Sequence, residues 1–408
     1  MSANRDVQRS IRVVGHPFGP LGISRVARCS FASLKAAGAE AGLMDVWGDS
    51  PMDPVHVQTL APYVTREFGD VNLFHLNGDE IETALGRLGG LPRRSWNVIC
   101  PMWELPRYPD VWARQLERFD EVWAGSRFIA DSIRPAVSVP VVHMPIATQV
   151  APTVFRGRRY FGIPEAAYAF LFFFDLRSYV QRKHPMAVIE AFRQFAAKRP
   201  WAQACLVIKI HGTANAPEDA EVVRRSVEDL GARVVLIEGL MSEDEVHSLI
   251  HQCDAFASLH RAEGYGLGLA EAMCLAKPVI GTAYSGNMDF MSDDVARLVG
   301  FKLVPVGEDA YPHWADQVWA EPDIDEAVAA MLSLYDDPRA GRELGRRASQ
   351  HMQAHFSFRA SGLRYVARIE NSGAGQAVGS SGLARNAARK ARPAARAGAV
   401  SLHDEEVS

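Results

Sequence analysis

The sequence predicts an α/β fold of two doubly wound domains facing a cleft. Short apolar runs alternate with helical stretches along most of the chain, and the alternation pauses near residue 155 before it restarts. A length of 408 residues with 48% apolar side chains is enough for two ordinary α/β cores.

Each element follows from its own stretch. Ile11–His16 (IRVVGH) reads as a buried strand, followed by the loop PFGPLGISR and a helix from about Ile23 to Ala37 that stops at Gly38. Val71–Leu76, Trp96–Met102, Glu121–Ser126 and Val139–Pro145 are the next expected strands. Apolar runs bounded by turn residues, with helical stretches between them, describe a parallel sheet covered on both faces. The pattern breaks at ATQVAPTVFRGRRYFGIPEAA and resumes with Tyr168–Arg177, Ala204–Gly212, Arg233–Gly239, Cys253–Leu259 and Lys277–Thr282. The expected division is therefore 1–155 and 156–345 for two Rossmann-like domains, then terminal helices over 346–370. Residues 371–408 are rich in Ala, Gly, Ser and Arg. Such a tail buries too little apolar surface to offset its ordering entropy and is expected to be disordered.

Composition narrows the function. A net charge of −4 gives no reason to expect nucleic acid as the main partner. Five scattered cysteines, without CxxC spacing, argue against a disulfide framework and for a reducing, cytoplasmic setting. The first residues, MSANRDVQRSIRVVGHP, contain no apolar core of a signal peptide. No segment approaches the roughly 20 apolar residues of a membrane span.

The segment CDAFASLHRAEGYGLGLAEAMCLAKPVIGT reads as strand, loop, helix and strand. Gly264, Gly266 and Gly268 let backbone approach a ligand, and the helix starting near Gly268 turns its positive end towards an anion. Glu263 stands at the loop mouth and Glu271 about one turn into the helix. A carboxylate suits neighbouring sugar hydroxyls, which are paired donors at fixed spacing. The spacing thus fits a sugar nucleotide held by both ends, with its phosphates between. The competing reading makes Glu263 a solvated loop residue and Glu271 a helix N-terminal acid stabilised by the dipole.

EGYGLGLAEAM and the following KPVIGT resemble the Glu-x7-Glu motif of glycosyltransferase family 4, the group 1 retaining transferases with a GT-B fold. WELPRYPDVW, DEVWAGSRFIADSI and YSGNMDFM are similar to segments that recur in a branch of that family, and the resemblance covers most of residues 11–370. It implies an acceptor-side N-terminal domain and a nucleotide-sugar-side C-terminal domain. It also implies that Glu263 contacts the donor hexose and Glu271 the ribose. Gly264, Tyr265, Gly266, Leu267 and Gly268 then form the donor-facing wall between the two acids.

FLFFFDLRSYVQRKHPMAVIEAF leaves a buried strand at Asp175, passes Arg177 and Lys183, and enters a helix with Pro185 at its first position. Two cations on such a loop suit a diphosphate and the charge that grows on it as it leaves. Solvated loop cations are the alternative; the resemblance favours Arg177 and Lys183 as catalytic residues with Glu263. His184 stands where relatives often carry glycine, which puts the local backbone path in question. Gly19 and Gly22, in the first loop, could bring backbone amides to a phosphate or sugar, and a plain tight turn competes with that. Trp103 and Glu104 are expected to point into the cleft, where Glu104 would meet donor sugar or acceptor. His75 is either another cleft residue or a core histidine.

No Asp-x-Asp pair sits at a strand end and no His/Cys cluster has metal spacing, so no metal and no cofactor are expected. The resulting expectation is transfer of a hexose, mannose or glucose, from a nucleotide diphosphate sugar to a glycan or lipid-linked acceptor. A nucleotide-sugar 2-epimerase and a catalytically silent sugar-nucleotide binder are the rivals. A dinucleotide-dependent dehydrogenase fits poorly, because GHPFGPLG lacks GxGxxG spacing. Five basic residues between Arg385 and Arg396 raise one more expectation, weak contact of the tail with an anionic membrane.

Overall fold

The computed structural model describes residues 9–48 and 54–372. Its first sheet holds β1 (Ile11–Gly15), β2 (Ala41–Asp45), β3 (Val71–Phe74), β4 (Trp96–Ile99), β5 (Glu121–Ala124) and β6 (Val141–His143). Their spatial order is β2-β1-β3-β4-β5-β6, and every pairing is parallel. The second sheet holds β7 (Tyr168–Asp175), β8 (Ala204–His211), β9 (Val234–Glu238), β10 (Ala255–Ser258), β11 (Val279–Thr282) and β12 (Arg297–Val299). Its order is β12-β11-β10-β7-β8-β9, again parallel throughout.

The helices of the first half are α1 (Gly22–Ala36), α2 (Pro54–Leu60), α3 (Ile81–Leu88), α4 (Asp110–Leu116) and α5 (Arg127–Ile133). Those of the second are α6 (Val180–Lys183), α7 (Pro185–Lys198), α8 (Pro217–Ser226), α9 (Glu243–Gln252) and α10 (Leu267–Cys274). α11 (Ile324–Asp336), α12 (Pro338–Phe356) and α13 (Phe358–Asn371) follow. Side-chain caps set several starts: Ser242 and Glu245 form a capping box on α9, and Asp323, Asp337 and Ser357 cap the last three helices.

The apolar runs read as strands lie in the cores. Phe170, Leu171, Phe172 and Phe174 of β7 are all buried, on both faces of the sheet. In each sheet the strand order reverses once, between β1 and β3 and between β7 and β10. Ligands of such sheets bind beyond the strand ends at that reversal. The segments leaving β7 and β10 there carry Arg177, Lys183 and Glu263, with Glu271 on the helix that follows β10.

Several elements differ from the sequence reading. β2 lies in AGLMDVW, where Gly42 and Asp45 interrupt the apolar run close behind the preceding helix. Phe301–Pro305 and Val318–Pro322 pair antiparallel as a separate hairpin, β13–β14, whose loop reaches the first domain. The division at residue 346 is corrected as well, since it cuts through the single helix α12.

α13 returns to the first domain and packs along α1. Gly362 makes the approach possible: a Cβ there would lie 1.9 Å from the Ser33 carbonyl oxygen. Arg368 ion-pairs with Glu121, Nε to Oε1 at 2.9 Å, and Arg9 donates to the Ile369 carbonyl at 2.7 Å. The expected disordered tail and its basic run lie outside the described residues. Among the described residues no helix is long and apolar enough to cross a membrane.

Candidate active site

Beyond β7 the chain turns sharply. Asp175 caps the turn by accepting from the Arg177 amide at 2.9 Å and also clasps the Arg177 guanidinium, Nη2 to Oδ2 at 2.7 Å. Arg177 is thus folded back on the strand end it leaves. The four-residue helix α6 then carries Arg182 and Lys183 inward, between two residues in left-handed backbone, Tyr179 (φ 63°) and His184 (φ 53°). His184 therefore adopts the conformation that a glycine would favour there, and its Nε2 lies 3.1 Å from Glu321. Such non-glycine residues cost about 1–3 kcal/mol each and persist where the surroundings hold them. Pro185 opens α7 as expected.

Lys183 meets Glu263, Nζ to Oε1 at 2.5 Å, and Arg182 lies 3.3 Å from the other oxygen. Arg182 also donates to the Ala262 carbonyl at 2.9 Å. Burial pushes the Glu263 carboxyl up, but Lys183, Arg182 and His260 together outweigh it and bring it down to about 2. Burial pulls the Lys183 ammonium down, only partly offset by Glu263.

The Glu263 loop is held by the segment YSGNMDF. Ser285 accepts from the Glu263 amide at 2.8 Å, and the Gly286 amide donates to the Glu263 carbonyl at 2.9 Å. A Cβ at Gly286 would lie 2.0 Å from the Gly264 carbonyl oxygen, so only glycine allows this layering. Asp289 continues the tie into the first domain, through His143 Nε2 at 2.6 Å and the Arg127 amide at 3.1 Å. Ser126 donates to the Gly264 carbonyl at 2.6 Å.

Glu271 lies on α10, 4% exposed, with Oε1 2.8 Å from Nε of Arg25 on α1. Burial outweighs that cation and leaves the Glu271 carboxyl above its ordinary range. Gly266, with φ 95°, caps α10, and a side chain at Gly22 would meet Leu267 at 3.9 Å. The first loop thus faces the start of α10 across the cleft. Gly19 closes a tight turn, its amide donating to His16 at 3.2 Å.

Three expectations need correction. Tyr265 is fully buried and its hydroxyl donates to the Ile146 carbonyl at 2.9 Å, so its side chain anchors the interdomain segment instead of lining the cleft. A Cβ at Gly268 would meet the Phe173 ring at 3.0 Å, so this glycine serves helix–sheet packing. Trp103 is buried, with Nε1 donating to the Arg107 carbonyl at 2.9 Å, and does not point into the cleft. Of the two readings of His75, the core one agrees with the structure: it is buried beside a cavity of about 20 Å³, and burial lowers it to about 3, which keeps it neutral.

Glu104 accepts from the hydroxyl of Tyr311, in the β13–β14 loop, and the Tyr311 ring lies 5.7 Å from the Arg182 guanidinium carbon. Arg25, Arg182, Glu243 and Tyr311 went unnoticed in the sequence. Arg182, adjacent to Lys183, was the one with a local signal. Among the described residues no group of three or more His, Cys, Asp or Glu side chains is placed to hold a metal ion.

Two doubly wound sheets with acids and cations at the reversal of the second define the class, a GT-B protein. Residues 168–351, which hold most of the second domain, match the family model described as glycosyl transferases group 1. Both domains share their fold with HepE from Anabaena, solved in complex with UDP and glucose. That structure is 14% identical, with a TM-score of 0.65 over 89% of this chain and 99% of that one. Sucrose-phosphate synthase from Thermosynechococcus elongatus is 16% identical, with a TM-score of 0.62 over 90% and 100% of the two chains. Trehalose synthase from Pyrococcus horikoshii is 27% identical over 184 residues, 44% of this chain and 39% of that protein. The matched region is thus about two fifths of the curated relative's length.

Proposed function

We propose that this protein is a retaining glycosyltransferase that moves a hexose, glucose or mannose, from a nucleotide diphosphate sugar to an acceptor hydroxyl. The observation that carries the reading is the meeting of Lys183, Arg182 and Glu263 at the β7/β10 reversal, with Glu271 on the adjoining helix. In this assignment Glu271 takes the ribose diol, Glu263 the hexose hydroxyls, and Lys183 and Arg177 the diphosphate. Gly19 and Gly22 close on the phosphates from the first domain, with the backbone of Gly264–Gly268 opposite. Negative charge grows on the diphosphate as the bond to the sugar breaks, and fixed cations stabilise it most at that moment. The leaving phosphate oxygen takes the proton of the acceptor hydroxyl as the new glycosidic bond forms, so no protein nucleophile is needed.

HepE binds UDP and glucose, which makes UDP-glucose the first donor to try and GDP-mannose the second. Glu104, held by Tyr311 on the first-domain side, is the acceptor-facing acid of this reading. The acceptor is a glycan or lipid-linked glycan of polysaccharide or glycolipid synthesis, at the cytoplasmic face of a membrane that the basic run near Arg389 would touch weakly.

Each donor is incubated with and without a glycan and glycolipid extract, in EDTA and in Mg²⁺. Acceptor-dependent release of nucleotide, equal in both, supports the metal-free transferase. Sugar conversion without acceptor points to a 2-epimerase, and binding without turnover to a silent module. Pelleting of the full chain and of a chain ending at Asn371 with anionic vesicles tests the membrane contact.

A further inference from the structure

The carboxylate assigned to the donor ribose is already occupied by the opposite domain. Arg25 places Nε 2.8 Å from Glu271, Nη1 3.1 Å from Glu243 and Nη2 3.0 Å from Nε2 of His247. Arg28, one turn further along α1, pairs with Glu243 too, and His56 lies 3.5 Å from it. Side chains of the first domain thus converge on two carboxylates of α9 and α10. The approach of Arg25 to Glu271 is a charge contact: its Nε is buried and has no hydrogen-bond partner of good geometry.

A vicinal diol needs carboxylate lone pairs that face it, and Arg25 stands on one of the two oxygens. A buried carboxylate also cannot be left bare without a large desolvation cost. Arg25 satisfies Glu271 when no sugar hydroxyls are there to do so. We infer that Arg25 sets donor affinity by occupation: it latches Glu271 across the cleft, and the ribose diol replaces it when the donor enters. The inference rests on the assignment of Glu271 to the ribose made above. It has a definite sign. A latch lowers apparent affinity by the fraction of molecules that are unlatched, so its loss tightens binding. A residue that itself held the nucleotide would weaken binding when removed.

The test titrates UDP and GDP into the full-length wild type, Arg25→Ala, Glu243→Gln and Glu271→Ala by calorimetry, with circular dichroism and melting curves to confirm folding. Whichever nucleotide the wild type binds should bind about three- to tenfold tighter to Arg25→Ala. A smaller gain is expected for Glu243→Gln, which removes the carboxylate that positions the Arg25 guanidinium beside Glu271. Should Arg25→Ala fail to fold, Glu243→Gln decides alone. Unchanged or weaker binding in the folded variants overturns the latch, provided that Glu271→Ala weakens binding. No binding of either nucleotide to the wild type, or no loss in Glu271→Ala, overturns the donor assignment itself and the latch with it.

Discussion

The Tyr311 hydroxyl donates to a Glu104 carboxylate oxygen at 2.5 Å, joining residues 207 positions apart. The bond pins the β13–β14 loop to the first domain. Tyr311 is buried, and burial with Glu104 beside it holds the phenol well above its ordinary range, so it stays a donor. A hydrogen bond to a charged group contributes about 1.5–3 kcal/mol. Tyr311→Phe should lower stability by roughly that amount in urea denaturation, and Tyr311→Phe with Glu104→Gln should cost less than the two singles added. Strict additivity would show that the pair is not coupled.

Lys183 is the cation closest to Glu263. Lys183→Ala should reduce kcat by about 10²–10³ if the ammonium stabilises the leaving diphosphate. If Arg177 also serves the diphosphate it has to leave Asp175 first, so Asp175→Asn should change its contribution while Lys183 remains. A folded Lys183→Ala enzyme with unaltered kcat would remove this residue from the chemistry.

Glu271→Ala should raise the donor KM and leave kcat nearly unchanged, because a ribose is held alike in ground and transition states. Steady-state kinetics with saturating acceptor give both constants. A fall in kcat at constant KM contradicts the role.

Acid should weaken the Glu263 cluster. The folded-state value, about 2, lies below the ordinary 4.5. The stability it contributes is present above about pH 4.5 and is lost as pH falls through 2. Wild type should therefore exceed Glu263→Gln in stability near neutral pH, with the gap closing towards pH 2. Denaturation series at several pH values follow it, and a constant gap would show that ionisation of Glu263 contributes nothing.

Gly362→Ala should strain the α13–α1 contact, since its methyl would meet the Ser33 carbonyl. Overpacking of this kind costs about 1–3 kcal/mol. Guanidinium denaturation should show the loss, and hydrogen exchange should place it in α1 and α13.

Much of the fold was legible because β7, β8 and their shorter neighbours are apolar runs separated by helices. Glu263, Glu271 and Lys183 could be singled out for a related reason: strand, loop and helix patterns place all three in segments that leave adjacent strands of one sheet. Arg25 and Tyr311 were not, because each works through a partner in the other domain and no local spacing records that. Tyr265 and Gly268 misled because their neighbours face the cleft while they face the core. The hairpin β13–β14 follows directly after β12 and pairs outside both sheets, so it continues neither strand–helix series.

The return of α13 to α1 also has a bearing on synthesis. Domains commonly fold in the order in which they leave the ribosome. Here the first domain emerges early with the α1 surface around Ser33 uncovered, and its cover is encoded more than 300 residues later. Ser30, Ser33 and the neighbouring apolar face must wait for more than 300 further residues to be made before Gly362 and Tyr365 can cover them. At about 5–20 residues per second that interval is some 15–60 seconds. During it the nascent first domain presents a groove that a chaperone, or the α13 of a finished neighbour, could fill.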